Sequence, residues 1–225
     1  MRSKRYNEIK GKTVEGSLSV SEVIEKIKET ATAKFDESVE ISISLGINPS
    51  KSDQMVRGNV ELPHGTGKEV KVAVVTKNDK DIKAAEEAGA SIAGLENVLD
   101  MIKNGNLDFD VLIATPDCMK DLGKFGKMLG PKGLMPSPKS GTVVTNVAEA
   151  VTRIKKGQVE FKMDKSGVIN GMIGKVSFPS EKLVENYEHY METVKKSRPA
   201  SAKGKFIKKV YVASTMGPSF SVSDE

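Results

Sequence analysis

The stretch His64–Val75, HGTGKEVKVAVV, separates two kinds of strand. Its second half, Val70–Val75, is an almost continuous β-branched run, which predicts a strand covered on both faces, as in a parallel sheet between helices. Upstream, Ser38–Leu45 (SVEISISL) alternates Val39, Ile41, Ile43 and Leu45 with serine and glutamate, the pattern of a strand with one buried face. The change of pattern across the glycines marks a domain entrance near residue 66.

Past Val75 the predicted elements alternate in type. Helices over 79–88 (closed by Gly89), 96–103 and 117–128 interleave with a short strand near 91–94 and the apolar strand Phe109–Ala114, FDVLIA, an α/β succession. One more helix, 145–156, stops at Gly157. Strand character returns in GQVEFKMDKSG (157–167) and GKVSF (174–178). Leu183, Val184, Tyr187, Met191 and Val194 then share one face of a helix that begins near Pro179–Ser180, and a last strand covers about 206–214. On the amino-terminal side, Val20, Val23, Ile24, Ile27 and Ala31 recur at helical spacing behind Ser19 or Ser21 as cap, predicting a helix over 20–32. A turn-rich loop, 46–58, and a short strand, 59–62, follow the 38–45 strand. Helix and antiparallel-looking strands at both ends, around an α/β middle, suggest one α+β domain into which the middle is inserted; periodicity alone leaves the pairing of the two ends open.

The 225 residues suffice for two domains, and 38% hydrophobic with 29% charged residues is the balance of a folded globular chain. No run of about 18 apolar residues occurs, and the basic, polar start MRSKRYNEIKGK lacks the apolar stretch of a signal peptide, so neither a membrane nor secretion is expected. A single cysteine, Cys118, excludes an internal disulfide and a cysteine-rich zinc site, and fits a reducing compartment such as the cytoplasm. The net charge of +5 favours a polyanionic partner without demanding one. Charge is concentrated in Lys195–Lys209, KKSRPASAKGKFIKK, which carries seven basic residues and no acid: a solvated loop or a local positive field.

Enzyme chemistry finds little support. HGTGK has a glycine and lysine texture suited to phosphate, but its spacing is wrong for a phosphate loop and a strand follows Lys68, so it fits a domain-linking turn. Cys118, His64 and His189 fall in segments assigned to different domains, which disfavours a thiol nucleophile with its base. No metal-ligand or acid/base motif is recognisable, and no cofactor is implied.

Four other places suit nucleic acid, each beside a plainer alternative. Asp164, in the turn with Lys165 and Ser166, is placed to orient donors or bond a ribose hydroxyl, or simply to hold its own turn. Gly123–Val143, GKFGKMLGPKGLMPSPKSGTV, is punctuated by glycine and proline, rich in lysine and free of acid. That composition argues against core and for a loop that grips phosphates or a structured turn. Ser214–Ser219 (STMGPS) allows close backbone approach to a ligand, or is a strand stop. Phe35 beside Lys34 suits packing on a base next to a phosphate, or a place in the core.

Several of these segments together resemble the ribosomal protein L-one family: TAKFDESVEI (32–41), NVELPHGTGK (59–68), GKMLGPKGLMPSPKSGTV (126–143), GQVEFKMDKSG (157–167), IGKVSF (173–178) and STMGP (214–218), with the start KRYNEI. The resemblance spans essentially the whole chain. It departs at Asn170–Gly171–Met172, where a His-Ala-Pro-like stretch is expected before Lys175, and at Lys132, Ser137 and Ser140, where Arg, Asn and Thr are commoner.

The resemblance implies an RNA-binding α+β domain from residues 1–66 and 158–225, a Rossmann-like α/β domain inserted at 67–157, and a two-stranded hinge. It implies a non-enzymatic constituent of the large ribosomal subunit in the cytoplasm, monomeric off the ribosome. The expected partners are large-subunit rRNA in the mobile stalk at the tRNA exit site, the message of the protein's own operon, which it represses, and deacylated tRNA. By the same resemblance the RNA-facing residues are Lys34, Phe35, Glu40, Asp164, Lys165, Ser166, Lys175, Ser214, Thr215, Met216 and Gly217, and Lys127, Lys132 and Lys139 face tRNA on the outer side. The competing classes are a nucleotide-using α/β enzyme and a nonspecific basic scaffold.

Overall fold

The computed structural model describes residues 4–11, 16–49 and 54–223; residues 50–53 of the predicted 46–58 loop lie outside them. The chain runs α1 (Lys4–Lys10), β1 (Ser17–Leu18), α2 (Val20–Thr30), β2 (Ser38–Leu45), β3 (Arg57–Glu61), β4 (Val72–Val75), α3 (Asp79–Glu87), β5 (Ile92–Ala93), α4 (Leu95–Lys103), β6 (Val111–Ala114), α5 (Met119–Gly123), α6 (Gly126–Leu129), α7 (Val147–Lys156), β7 (Gln158–Lys162), β8 (Val168–Lys175), α8 (Ser180–Lys196), β9 (Ile207–Ser214) and β10 (Ser219–Val222). It divides into two compact units, Met1–Gly67 with Val159–Glu225, and Lys68–Gln158.

In the first unit a five-stranded sheet has the order β1-β10-β9-β2-β8. β2 lies between β9 and β8, and both of these antiparallel partners follow the second unit in sequence: Ser38 pairs with Lys175 and Ser44 with Val168, while Val39 pairs with Ser214 and Leu45 with Ile207. Its alternation puts Val39, Ile41, Ile43 and Leu45 in one core with Val23, Ile24 and Ile27 of α2 and Leu183, Tyr187 and Tyr190 of α8. α2 starts at a capping box in which the Glu22 N–H donates to the Ser19 hydroxyl and the Ser19 N–H to the Glu22 carboxylate, so Ser19 is the cap. The same pairing of Glu22 with Ser19 holds its carboxyl below the usual range. β3 and β7 form a separate two-stranded sheet, from which the chain leaves the unit and to which it returns.

The second unit is a parallel sheet, β5-β4-β6. Ala73 and Val75 face one core with Val98 and Ile102 of α4 and Cys118, while Val72 and Val74 face another with Ala85 of α3 and Val151 and Ile154 of α7. Two-sided burial explains the continuous apolar run of β4. Gly157, in the left-handed region at φ 111°, ends α7 as the sequence predicts.

Three expectations need correction. The strand expected at GKVSF lies earlier, at Val168–Lys175, with Asn170–Gly171–Met172 inside it. Gly171 is the reason: a Cβ there would stand 2.3 Å from the Tyr190 hydroxyl oxygen, so only a glycine strand passes over that fully buried ring. The helix expected over 117–128 is broken into a 3-10 turn, Pro116–Cys118, followed by α5 and α6, with Gly123 and Gly126 at the break. Finally, Gly123–Val143 is not a loop free of core residues: Leu129 is fully buried, and Phe125, Leu134 and Met135 pack on the same cluster. Its apolar residues are too scattered for a helical or strand period to reveal their burial. The sequence also left α1, β1 and β10 unassigned.

Gly171→Ala should overpack the Tyr190 site and cost about 1–3 kcal/mol, seen as a lower urea midpoint; an unchanged midpoint would show that the strand can shift away from the ring.

Candidate nucleic-acid interface

At one end of the five-stranded sheet, Ser38, Lys175 and Ser214 are neighbours in register. The loop before β2 and the turn after β9 meet there around Glu37, which is only 2% exposed. Its carboxylate accepts the Ala33 N–H at 3.1 Å and the Met216 N–H at 2.9 Å, so one side chain ties both segments together. Burial opposes ionisation of this carboxyl, but the Met216 N–H, the neighbouring Ser214 hydroxyl, the Ala33 N–H and the charge of Arg5 outweigh it and hold its pKa below the usual value. Arg5 of α1 braces the same place from outside, donating to the Thr32 hydroxyl at 3.1 Å and the Met216 carbonyl at 3.0 Å.

This scaffold leaves two large apolar side chains in water: Phe35 is 55% exposed and Met216 is 50% exposed. Phe35 is therefore not core. Lys34 is exposed beside it. Thr215 spends its hydroxyl on the sheet, accepting the Ser38 N–H at 3.0 Å, and its own N–H donates to the Ser38 carbonyl. Gly217 closes the turn on the Ser214 carbonyl, and a Cβ on it would stand 2.4 Å from the Ser214 oxygen. The Lys175 ammonium donates to the Asp36 carbonyl at 3.3 Å, and both Asp36 carboxylate oxygens accept from Ser177. Lys34, Phe35, Lys175 and Ser214–Gly217 thus come together.

Asp164, Lys165 and Ser166 do not join them. β8 begins opposite Ser44, so their turn sits at the other end of β2, about 20 Å away at 3.3 Å per residue. Asp164 holds that turn itself: its Oδ1 accepts the Ser166 N–H at 2.8 Å and the Val168 N–H at 2.9 Å. Between the ends, Glu40 is exposed on the sheet face opposite the buried phase of β2, and next on that face the Ser42 hydroxyl donates to Asn170 at 2.8 Å.

Sequence reasoning missed Glu37, Arg5 and Asn186. Glu37 carried a signal, because it continues the inward phase of Val39, Ile41 and Ile43 one step before the strand. Asn186, fully buried on α8, accepts the His64 N–H and donates to the Gly65 and Ile173 carbonyls. With the His64 ring bonded to Glu185, this makes HGTGK a pinned turn rather than an anion cradle.

In the second unit Lys127 and Lys132 are exposed, whereas only the backbone of Lys139 is described and its side chain lies outside the described residues. Ser140 and Thr142 hydroxyls and the Ser137 backbone bond one another, making the Ser137–Thr142 segment a built turn. A doubly wound sheet binds nucleotide beyond its strand ends, but here those groups engage each other. Asn78 donates its N–H to Thr76, Thr115 donates to Cys118, and Lys77 pairs with Asp121 at 2.9 Å. That pair lowers the carboxyl pKa of Asp121 and raises that of Lys77. Among the described residues no group of three or more metal-ligating side chains gathers, and no helix is long and apolar enough to cross a membrane.

Residues 27–218 match the family described as ribosomal protein L1p/L10e. Proteins named large ribosomal subunit protein uL1 are similar over nearly the whole chain. The one from Kosmotoga olearia is 54% identical, covering 96% of this chain and 94% of its own. That from Protochlamydia amoebophila is 47% identical, covering 98% and 93%, and that from Francisella tularensis subsp. novicida is 50% identical, covering 98% and 95%.

Glu37→Gln should cost about 1–3 kcal/mol, because a neutral amide replaces a buried charged acceptor of two part-buried N–H groups. The folded pKa lies below the ordinary 4.5, so the wild-type increment is present above that value and lost as pH falls through the folded pKa. Thermal melts over this range should converge for the two proteins in acid; a constant gap would remove the charge from the explanation.

Proposed function

Because the chain belongs to the ribosomal protein L1p/L10e family, we propose that this member of the large-subunit proteins binds large-subunit rRNA through its first unit, as part of the mobile stalk at the tRNA exit site in the cytoplasmic ribosome. The observation that carries this reading is the pair of water-exposed apolar side chains, Phe35 and Met216, on segments locked by one buried carboxylate. Exposed rings and thioethers held on rigid backbone suit unstacked bases and sugars, which RNA offers in junctions and loops.

The roles divide by position. Phe35, Met216 and Lys34 contact RNA directly, and Lys175 and Gly217 shape the approach. Thr215 acts by fixing the Ser38 backbone, and Glu40 with Ser42 and Asn170 extends the surface along the sheet toward Lys165 and Ser166. The segments 1–66 and 158–225 form the RNA-binding domain and 67–157 the inserted Rossmann-like domain. Lys127 and Lys132, exposed on the latter, with Lys139, meet deacylated tRNA and assist its movement. The message of the protein's own operon, offering the same RNA shape, occupies the same surface and is repressed. Away from the ribosome the protein is a monomer.

The purified protein should prefer a stalk rRNA fragment over an unrelated hairpin at about 0.2 M salt. Equal affinity for both would leave only a nonspecific basic scaffold. Met216→Asp should weaken the preferred complex by about 1–3 kcal/mol, the worth of a stacked base, and Thr215→Val should weaken it through Ser38, while Lys139→Ala leaves it nearly unchanged. Titration of labelled RNA measures all three.

A further inference from the structure

The end of the five-stranded sheet far from Phe35 and Met216 has its own construction. β9 enters it through the Lys195–Lys209 segment, and the pairing slips there: Ser44 is opposite Lys209 and Leu45 opposite Ile207, so Lys208 is an extra residue in a bulge. In an unbroken strand, consecutive side chains point to opposite faces, and one of two adjacent lysines would enter the core. The bulge removes that conflict. Ile207 and Val210 are both buried, and Lys208 and Lys209 are both exposed.

The loop feeding this strand is held rather than loose. Arg198 donates to the Ala202 carbonyl at 3.0 Å and the Gly204 carbonyl at 3.1 Å. The Gly46 N–H donates to the Phe206 carbonyl at 2.7 Å. A Cβ on Gly46 would fall 2.1 Å from the Lys205 carbonyl oxygen, so the loop lies directly on the end of β2. Lys203 is exposed in this loop, and Lys165 is exposed in the Asp164–Gly167 turn, whose Gly167 carbonyl accepts from Leu45. Among the described residues, none of Lys165, Lys203, Lys208 and Lys209 is in an ion pair. Asp164, the acid in the same turn, has an oxygen committed to two backbone N–H groups.

We infer that Lys203, Lys208 and Lys209, next to the turn of Lys165 already placed on the RNA surface, form a contact surface for the phosphodiester backbone of the bound RNA, supplying the salt-dependent part of its affinity. The inference rests on the RNA-binding reading above and adds a division within it. The Phe35–Met216 end discriminates between RNAs; the lysine end adds sequence-independent attraction. Ammonium groups on flexible stems, without planar forks aimed at a base edge, suit phosphate positioning rather than base readout.

The test measures the slope of log affinity against log salt for the full chain with the stalk rRNA fragment and with an unrelated duplex. Each lost phosphate contact flattens the slope by roughly 0.7–0.9. Lys203→Gln, Lys208→Gln and Lys209→Gln together should therefore flatten it by roughly 2–3 for both RNAs and leave their affinity ratio unchanged. The corresponding arginine triple should keep the wild-type slope, showing that charge is what matters. A control triple, Lys80→Gln, Lys83→Gln and Lys156→Gln, removes three exposed lysines of the second unit and should barely alter it. An unchanged slope in the first triple, or an equal flattening in the control, overturns the inference. A wild-type protein that does not distinguish the two RNAs sinks the stalk reading instead, while the slope on the duplex still decides whether these lysines meet phosphate.

Discussion

The buried carboxylate of Glu37 is the interaction on which the rest of this end of the molecule depends. It reaches from the loop before β2 to the turn after β9, residues far apart in sequence, and satisfies an N–H group on each. Taking a charge out of water is tolerable here because donors and a guanidinium surround it. The result is two exposed apolar side chains on backbone that has little freedom left to lose on binding. Rigidity and exposure therefore have the same origin: inward-facing polarity fixes the loops, and outward-facing Phe35 and Met216 are what remain for a partner.

The two ends of the sheet use opposite physical strategies. Near Glu37 most polar groups are paired and the free surface is Phe35 and Met216 beside Lys34; near the β9 bulge the apolar residues are packed and the free surface is cationic. β2 spans both, so strand register, rather than any single loop, sets the spacing between them. The modest net charge of +5 thus understates the local field, because several ion pairs elsewhere engage lysines such as Lys68, Lys71 and Lys77.

Much of this was legible in the sequence. Alternation in Ser38–Leu45 announced a one-sided strand, the β-branched Val70–Val75 a two-sided one, and Gly157 a helix end. What escaped depended on partners distant in the chain. Gly171 fell outside the strand expected at 174–178 because nothing local tells that Tyr190 crosses it. Leu129 and Leu134 looked like loop residues because no period links them. Asp164 and Thr215 looked alike as polar turn residues near strands, yet register separates them by the length of β2. Glu37 was the exception: its burial follows from its phase, although its role follows only from the fold.

The place of β2 between β8 and β9 also has a consequence in time. Its partners on β9 emerge 162 to 175 residues after it, an interval on the order of ten to thirty seconds at about 5–20 residues per second. The Lys68–Gln158 unit is complete well before then and can fold while β2, with four apolar side chains on one face, still lacks β9. Glu40, Ser42 and Ser44 on its other face break the apolar run during that wait. The same residues that later form the outer sheet surface thus make the nascent strand a poor template for association with other chains.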